Sequence, residues 1–409
     1  MNAFYNRVRR FSAIILGLVF FVAGTLKLMD PVGAGLIVEE YLHFFGMDSL
    51  SGASKAIGAG AALLETITGA ALVTGVFRKL FAIIASALTV IFTIVTFILW
   101  RKNPEFDCGC FGEAIHLSHL QSLLKNLVLL VLAAIAFTPF KSYGTSRGGK
   151  KVSFFIICCS SLLLLGYSWI NIPFRDFTPF NYSSRILAAE LADPMSDDAD
   201  AVTVFIYEKG GQRGSFTSDN LPDSTWTFIA SKTMLKEDNY NEDRFPELPF
   251  TDAEGQFCDS LATAEYLIVC SVPDPAGLNA EGWKEAARLI DESTEEGFTP
   301  LLLLTAEPGT IEEYLPGELS PQEKYLLTEA SYYSPYKTLI SLNRSNGGAT
   351  YFNEGDLVNK WPSRNLPDRE ELCGIHRRDM MDLTISADTK GKLKFEAWFL
   401  YSIAILFLV

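Results

Sequence analysis

The chain has 409 residues, of which 49% are hydrophobic, and a formal net charge of −14. The charges are unevenly distributed: residues 173–394 hold 39 of the 48 acidic side chains and 20 of the 34 basic ones, whereas long apolar runs dominate residues 1–172. Because phosphate binding needs clustered Lys and Arg, the acidic segment excludes a nucleic-acid partner. The apolar runs exclude an ordinary soluble enzyme.

Five apolar segments are long enough to cross a membrane as helices, which takes about 20 residues for a hydrocarbon core of about 30 Å. A helix satisfies its own backbone polar groups and therefore tolerates that environment. A sixth segment, residues 395–409, would reach only roughly 22 Å at about 1.5 Å per residue, and we predict a short C-terminal span there. The five predicted helices cover residues 11–29, 56–76, 80–100, 120–137 and 152–172.

The positions of Lys and Arg in the short loops predict the orientation of these helices. Basic residues are frequent before the first helix, between the second and third, and between the fourth and fifth. We therefore expect a cytoplasmic N-terminus, with residues 101–119 and 173–394 outside the cytoplasm. The first helix lacks a small-residue cleavage site at its end, so we interpret it as an uncleaved span. Lys390, Lys392 and Lys394 depart from the rule, which is weak after a long domain.

The charge and turn patterns divide the chain into four parts. Residues 1–140 predict an all-α four-helix membrane bundle, and the basic, glycine-rich residues 141–151 separate it from the fifth helix, so that residues 141–172 form a linker and a span. Residues 173–394 predict a soluble α/β domain, because β-rich runs alternate with helical stretches. Residues 395–409 are the short C-terminal span.

A strand, helix, strand order defines the predicted soluble domain. The helix covers residues 279–294, carries an apolar stripe that begins at Trp283, and implies a parallel strand pair with a right-handed crossover. The last two strands form a predicted hairpin around residues 353–356. A central parallel pair with a terminal hairpin is the layout of a thioredoxin-like fold. The predicted strands are residues 201–206, 225–229, 266–271, 300–305, 349–352 and 357–361.

The sharpest local motif is D-C-G-C-F-G at residues 107–112, just ahead of the fourth helix. Two thiols separated by one glycine can close a small, strained ring, and labile disulfides are usually catalytic or regulatory. Gly109 and Gly112 supply the positive φ that such a tight turn needs. We take Cys108 and Cys110 as the candidate catalytic pair. The alternatives are a static brace of the loop or two idle thiols.

Two histidines, His116 and His119, follow this motif closely, so a site built from Cys and His has to be considered. C-x-C followed by H-x-x-H lacks the usual separations of zinc ligands, and we predict no metal site. A histidine here could instead act as an acid or base in thiol exchange, or lie at the membrane interface.

Glu65 lies near the middle of the second predicted helix. An ionisable group at that depth is costly, so it is normally turned inward and paired, and it marks a functional site by default. The candidate partners are Lys125, in the second turn of the fourth helix, and Lys27, near the end of the first. Glu65 belongs either to a proton relay or to a structural ion pair.

The remaining cysteines favour packing over redox chemistry. Cys158 and Cys159 are adjacent in the fifth helix and point about 100° apart. Cys258, Cys270 and Cys373 are widely spaced and contain no C-x-x-C. They predict at most one structural disulfide and no dithiol active site.

Residues 1–140 resemble the DoxX and MauE type of four-helix membrane protein. The resemblance implies a multi-pass protein of the bacterial inner membrane, with a periplasmic outer domain and a role in envelope redox or maturation tasks. MauE is tied to maturation of a disulfide-rich methylamine dehydrogenase subunit, yet no residue here indicates that substrate. A more distant similarity to quinone-coupled bundles of the vitamin K epoxide reductase type implies a quinone as candidate electron acceptor. The residues that carry the resemblance are 24–31 (G-T-L-K-L-M-D-P), Glu65, Gly69, Gly75, 107–112, Lys125 and Asn126.

Residues 173–394 are similar to the degenerate thioredoxin-like domains fused to such bundles in Bacteroidota. The similarity rests on residues 337–340, 344–346 and 359–361. Where a thioredoxin presents C-x-x-C, residues 272–277 read V-P-D-P-A-G, and Gly347 takes the place of the cis-proline. Without either feature, the similarity implies binding or docking rather than disulfide exchange.

The leading hypothesis is a thiol–disulfide redox component of the inner membrane that serves envelope protein maturation. Cys108 and Cys110 would exchange disulfides, while Glu65 and Lys125 tune or relay protons. The implied partners are membrane lipid, a periplasmic protein thiol and a quinone. The alternative is a non-catalytic scaffold, in which the bundle anchors a partner-binding thioredoxin-like domain. Small-molecule transport gains a little from Glu65, but neither discontinuous helices nor a repeat is indicated.

Overall fold

The computed structural model describes residues 2–104, 106–138, 148–182, 184–192, 201–209, 212–217, 221, 226–235 and 245–408. The chain divides into two compact units. The membrane unit comprises Met1–Phe177 and Thr389–Val409, and the α/β unit comprises Thr178–Asp388.

Five helices of the membrane unit are long and apolar enough to cross a membrane, which confirms the five predicted helices as candidate spans. Each begins and ends within nine residues of its predicted bounds, because length and hydropathy are strong signals for such helices. The membrane-unit elements in chain order are α1 (Asn2–Met29), α2 (Pro31–Phe44), α3 (Ser54–Thr74), α4 (Arg78–Lys102), β1 (Cys110–Glu113), α5 (His119–Phe137) and α6 (Gly148–Ile170).

The short helix α2 was not predicted. Pro31 occupies its first turn, and the side chain of the N-cap Asp30 accepts a hydrogen bond from the amide of Gly33 at 2.9 Å. Proline fits this position because its missing N–H would be unpaired there anyway. With 14 residues, α2 is too short to cross a membrane as a helix.

Helices α1 and α3 approach each other closely through small residues. A Cβ added at Gly24 would lie 2.6 Å from the amide nitrogen of Thr66, and one added at Gly69 would lie 2.4 Å from the amide nitrogen of Phe21. Close backbone approach of this kind is the usual way in which helices pack inside a membrane. This close packing fixes the position of α1 along the axis of α3. It thereby determines which polar side chains of the two helices face each other.

The C-terminal segment belongs to the long helix α12 (Met380–Leu408). Its end packs with the bundle: Trp398 stacks on Phe21 at 6.1 Å between ring centroids, and Leu406 is buried. This helix is not among the five that could cross a membrane by length and composition. The reason is its charge. Its last 18 described residues, 391–408, include Lys392, Lys394 and Glu396. The short C-terminal span therefore stays a prediction.

A small antiparallel sheet opens the α/β unit after helix α7 (Leu187–Ala192). Its strands are β2 (Ala201–Lys209), β3 (Gln212–Thr217) and β4 (Thr227–Leu235), in the order β3-β2-β4. Strands β2 and β4 correspond to two predicted strands, whereas β3 was not predicted.

A five-stranded mixed sheet forms the centre of the α/β unit, in the order β7-β6-β5-β8-β9. The pairs β5–β6 and β6–β7 are parallel, while β5–β8 and β8–β9 are antiparallel. The predicted parallel pair and terminal hairpin are thus present, whereas the fifth strand, β7, was not predicted. The strands are β5 (Leu267–Val272), β6 (Thr299–Leu304), β7 (Ser331–Tyr333), β8 (Gly348–Asn353) and β9 (Asp356–Trp361).

Both faces of this sheet are buried. Ile268 and Cys270 of β5 join one apolar cluster, whose largest member is the fully buried Trp283, while Leu267 and Val269 join another on the opposite face. Alternation along one strand explains the division, because successive side chains point to opposite faces. The covering helices are α8 (Ala280–Glu295), α9 (Pro321–Glu329), α10 (Tyr336–Leu342) and α11 (Arg369–Ile375).

Candidate functional site

The C-x-C motif forms a tight turn that leads into β1. Gly109 and Gly112 have φ values of +55° and +65°, and the amide of Gly112 donates to the carbonyl of Gly109 at 3.1 Å. The predicted need for positive φ at both glycines is confirmed. Cys108 is buried and Cys110 is half-buried, and neither thiol is in a disulfide. The two thiols thus differ in their access to solvent and partners.

His119 is the base nearest to a thiol of the motif. Its Nδ1 lies 3.1 Å from Sγ of Cys108, and its Nε2 lies 3.0 Å from the carbonyl oxygen of Pro104. A carbonyl only accepts, so Nε2 carries the hydrogen and Nδ1 presents a lone pair to the thiol, an assignment made from the hydrogen-bond network. Burial raises the pKa of Cys108, so this thiol depends on a neighbouring base to lose its proton.

His116 lies elsewhere. Its Nδ1 pairs with a carboxylate oxygen of Asp107, and both side chains are more than half exposed. The structure therefore brings only one of the two candidate histidines to Cys108. An exposed pair of this kind contributes little to stability.

Two side chains of helix α2 contact the thiol turn at Cys108 and Gly109. The hydroxyl of Tyr41 donates to the carbonyl oxygen of Cys108, and burial raises the pKa of Tyr41, so the phenol stays protonated. Ile37 fills the space beside Gly109, where an added Cβ would lie 2.5 Å from its Cδ1. Neither contact was predicted from the sequence. The Asp30-Pro31 helix-start signal could have revealed α2.

Glu65 is paired with Lys27 rather than with Lys125. Glu65 is only 3% exposed, and its two carboxylate oxygens lie 2.9 and 3.0 Å from Nζ of Lys27, which is 15% exposed. Lys125 instead places its Nζ 4.9 Å from the ring centroid of Phe111. Of the two predicted partners, the structure selects Lys27.

The ion pair and the thiol turn meet at α1. A Cβ added at Gly112 would lie 3.6 Å from Cγ of Lys27, so the aliphatic part of Lys27 packs against the turn at Gly112. Lys27 therefore links the buried carboxylate of Glu65 to the strand that begins at Cys110.

The region that contains these groups matches a known family. Residues 6–139 match the family of methylamine utilisation protein MauE. Residues 6–139 thus form a MauE-like domain, and the five candidate spans indicate a multi-pass membrane protein. The matched residues include α1 to α5 almost entirely, and with them the thiol turn and the Glu65–Lys27 pair.

The rest of the chain matches no family of known function. Residues 201–238, which include β2 to β4, match a domain family of unknown function (DUF8463). No curated protein and no solved structure matched the chain. The MauE match supports the first resemblance in part. The likeness to DoxX and the thioredoxin-like character of the α/β unit stay predictions.

The α/β unit carries no dithiol at the end of β5. Residues 272–277 lead from β5 into α8, and the side chain of Asn346 both accepts from the amide of Asp274 at 3.1 Å and donates to its carbonyl at 2.8 Å. Gly347 has a φ of +79° and donates its amide to the carbonyl of Ser271 at 2.8 Å. These bonds close the loop with polar groups and no thiol.

The other cysteines form no disulfide within the described part of the chain. Burial raises the pKa of Cys270 to about 12, which makes this β5 thiol unreactive. Cys258 and Cys373 are half-buried. Within the described residues, no group of three or more His, Cys, Asp or Glu side chains could hold a metal ion.

Proposed function

We propose that this MauE-like protein is a thiol–disulfide redox component of the bacterial inner membrane, with Cys108 and Cys110 as the exchanging pair. The observation that carries the proposal is the 3.1 Å separation between Sγ of Cys108 and Nδ1 of His119. A thiol, a base and a third group that orients the base form the arrangement that activates a nucleophile. Here the third group is the carbonyl of Pro104.

The two cysteines take different roles because their exposure differs. A partner thiolate attacks Sγ of Cys110 in the Cys108–Cys110 disulfide, and Cys108 leaves as a thiolate that is protonated next to His119. The second partner thiol then attacks the mixed disulfide and releases Cys110 as a thiol. The partner gains a disulfide and loses two electrons and two protons, which the Cys108–Cys110 pair takes up.

Re-oxidation of the pair needs an acceptor, and we propose a quinone. Two electrons and two protons pass from the dithiol to the quinone, which becomes a quinol, while His119 removes the proton from Cys108. The Glu65–Lys27 pair supports a proton relay, because Lys27 connects a buried carboxylate with the strand of the thiol turn. Lys125, over the ring of Phe111, tunes the charge beside the same strand.

We propose a binding or docking role for the α/β unit. Its strand order β9-β8-β5-β6, with β5 and β6 parallel and β8 antiparallel to β5, supports a thioredoxin-like fold. The double hydrogen bond between Asn346 and Asp274, at the position where a dithiol would stand, supports recognition rather than exchange.

The test uses the full chain in membranes with a dithiol peptide as electron donor. The proposal predicts that Cys108→Ser and Cys110→Ser each abolish formation of the peptide disulfide. Cys159→Ser, which removes an exposed thiol of α6, is the matched control and should leave the rate unchanged. Retained exchange in both motif variants would contradict the proposal.

A scaffold remains the second candidate function, and the contacts of α2 favour it. Tyr41 and Ile37 pack against the backbone of the thiol turn, as expected for a loop that is braced rather than reactive. Under this hypothesis a Cys108→Ser, Cys110→Ser double variant keeps partner binding in a pull-down and shows no redox phenotype.

A further inference from the structure

One end of the membrane unit collects its basic side chains. Nε of Arg9 donates to the carbonyl of Ala136, near the end of α5, at 3.2 Å, and Nη1 of Arg10 donates to the carbonyl of Leu72, near the end of α3, at 2.8 Å. The start of α6 joins them, since Phe154 lies 5.8 Å from Phe81 of α4 between ring centroids. We call this the basic end.

The basic end has no acidic side chains of its own. No Asp or Glu occurs in residues 1–29, 66–104, 114–175 or 397–408, and the last of these ranges is included because Leu406 of α12 packs in the same apolar cluster as Phe81 and Phe154. Within the described residues, backbone carbonyls at helix C-termini, with their partial negative charge, accept hydrogen bonds from Arg9 and Arg10, and the ring of Tyr5 lies 5.7 Å from the guanidinium of Arg9. The described cations of the basic end are Arg7, Arg9, Arg10, Arg78, Lys79, Lys150 and Lys151.

Two of these guanidinium groups converge on one point. Gly75 and Phe77 both have positive φ, so the chain reverses within three residues and Nε of Arg78 donates back to the carbonyl of Gly75 at 2.9 Å. A Cβ added at Gly75 would lie 3.0 Å from Nη2 of Arg78 and 3.2 Å from Nη1 of Arg10, which places these nitrogens within about 6 Å of each other.

Such a pair needs a counter-ion. A guanidinium has five N–H donors, and the described hydrogen bonds use two groups of Arg10 and one of Arg78. The positive charges of the two guanidinium groups repel each other, and an anion that accepts from their remaining donors would offset that repulsion. Arg binds phosphate oxygens through paired donors, and the ends of membrane-spanning helices lie at the depth of lipid headgroups.

We propose that Arg10 and Arg78 bind the phosphate of one anionic phospholipid at the basic end. The site is independent of the thiol turn, which lies in the α4–α5 connection. Phosphatidylglycerol represents the required chemistry, because it keeps a net negative charge beside a phosphate, whereas phosphatidylcholine is neutral overall.

The test measures lipid enrichment around the full chain. The protein is reconstituted in nanodiscs of equal parts phosphatidylglycerol and phosphatidylcholine, and native mass spectrometry counts the lipids that it retains. The proposal predicts enrichment of phosphatidylglycerol, reduced about fivefold in Arg78→Gln. The matched control is Lys79→Gln, which removes the same charge from the next, exposed residue and should change the enrichment by less than about twofold.

Three outcomes would overturn the proposal. The first is the absence of enrichment in the wild-type protein, and the second is an equal loss in Arg78→Gln and Lys79→Gln, which would indicate diffuse surface charge. The third concerns the protein in pure phosphatidylcholine nanodiscs. If inorganic phosphate stabilises it there as much as phosphatidylglycerol does, the site binds small anions rather than a lipid.

If Arg78→Gln does not fold, Arg78→Lys replaces it. The proposal then predicts reduced enrichment because an ammonium lacks the paired donors, and unchanged enrichment would contradict it.

Discussion

The imidazole Nδ1 of His119 lies 3.1 Å from Sγ of Cys108, although the two residues are eleven positions apart in sequence. The start of α5 places the ring. Ser118 caps this helix through a reciprocal pair of hydrogen bonds with Gln121, which fixes the position of the first helical residue, His119. The imidazole of His119 is therefore positioned by the start of α5 and by its hydrogen bond to the carbonyl of Pro104, rather than by a flexible loop.

The two motif thiols should react at different rates. Burial raises the pKa of Cys108, so at pH 7 a smaller fraction is thiolate and alkylation is slow, whereas Cys110 is more accessible. We expect iodoacetamide to label Cys110 first at pH 7, and labelling of Cys108 to accelerate as the pH rises. Mass spectrometry of quenched time points measures both rates. Faster labelling of Cys108 at pH 7 would contradict the described geometry.

Replacement of His119 should slow disulfide exchange. A positioned general base contributes about 100-fold or more, so we expect His119→Asn to lower the rate at pH 7 by about 100-fold. His116→Asn is the matched control, because His116 pairs with Asp107 at an exposed position. An equal effect of the two substitutions would indicate that neither histidine acts on the thiol.

The sequence predicted the five spans well, because each is a long apolar run, and it predicted the parallel pair and hairpin of the α/β unit. It missed α2, whose 14 residues carry no membrane signal, and with it the contacts of Tyr41 and Ile37. It left two partners open for Glu65 and two histidines for the thiols. Those choices depend on how helices pack and how the turn closes, which single-sequence patterns do not specify.

Breaking the Glu65–Lys27 pair should destabilise the bundle. Glu65→Gln leaves the Lys27 ammonium, which is only 15% exposed, without its counter-charge, and such a loss costs up to about 3 kcal/mol. We expect a lower midpoint of thermal unfolding in detergent micelles for Glu65→Gln, and recovery of most of it in a Glu65→Leu, Lys27→Met double variant.

The matched control for this pair is Lys125→Met. It removes a cation over the ring of Phe111, worth about 0.5–1 kcal/mol, and leaves Glu65 paired. A drop in Lys125→Met as large as that in Glu65→Gln would contradict the assignment of Lys27 as the partner of Glu65.

Tyr41→Phe should loosen the thiol turn while keeping the aromatic contacts of α2. The substitution removes the hydroxyl that donates to the carbonyl of Cys108 but retains the ring that packs against Phe106 at 5.6 Å. Loss of one such bond costs about 1 kcal/mol, so we expect roughly fivefold faster alkylation of Cys108. Unchanged alkylation would mean that the contact between Tyr41 and the turn does not limit access.

The most direct test of the redox account is the reduction potential of the Cys108–Cys110 pair in membranes, measured by differential alkylation and mass spectrometry across a glutathione titration, with and without quinone. We predict a potential above about −250 mV and a shift toward the disulfide on addition of quinone, as for labile, catalytic pairs. A pair that stays a disulfide below about −300 mV and ignores quinone would contradict the account and favour the scaffold.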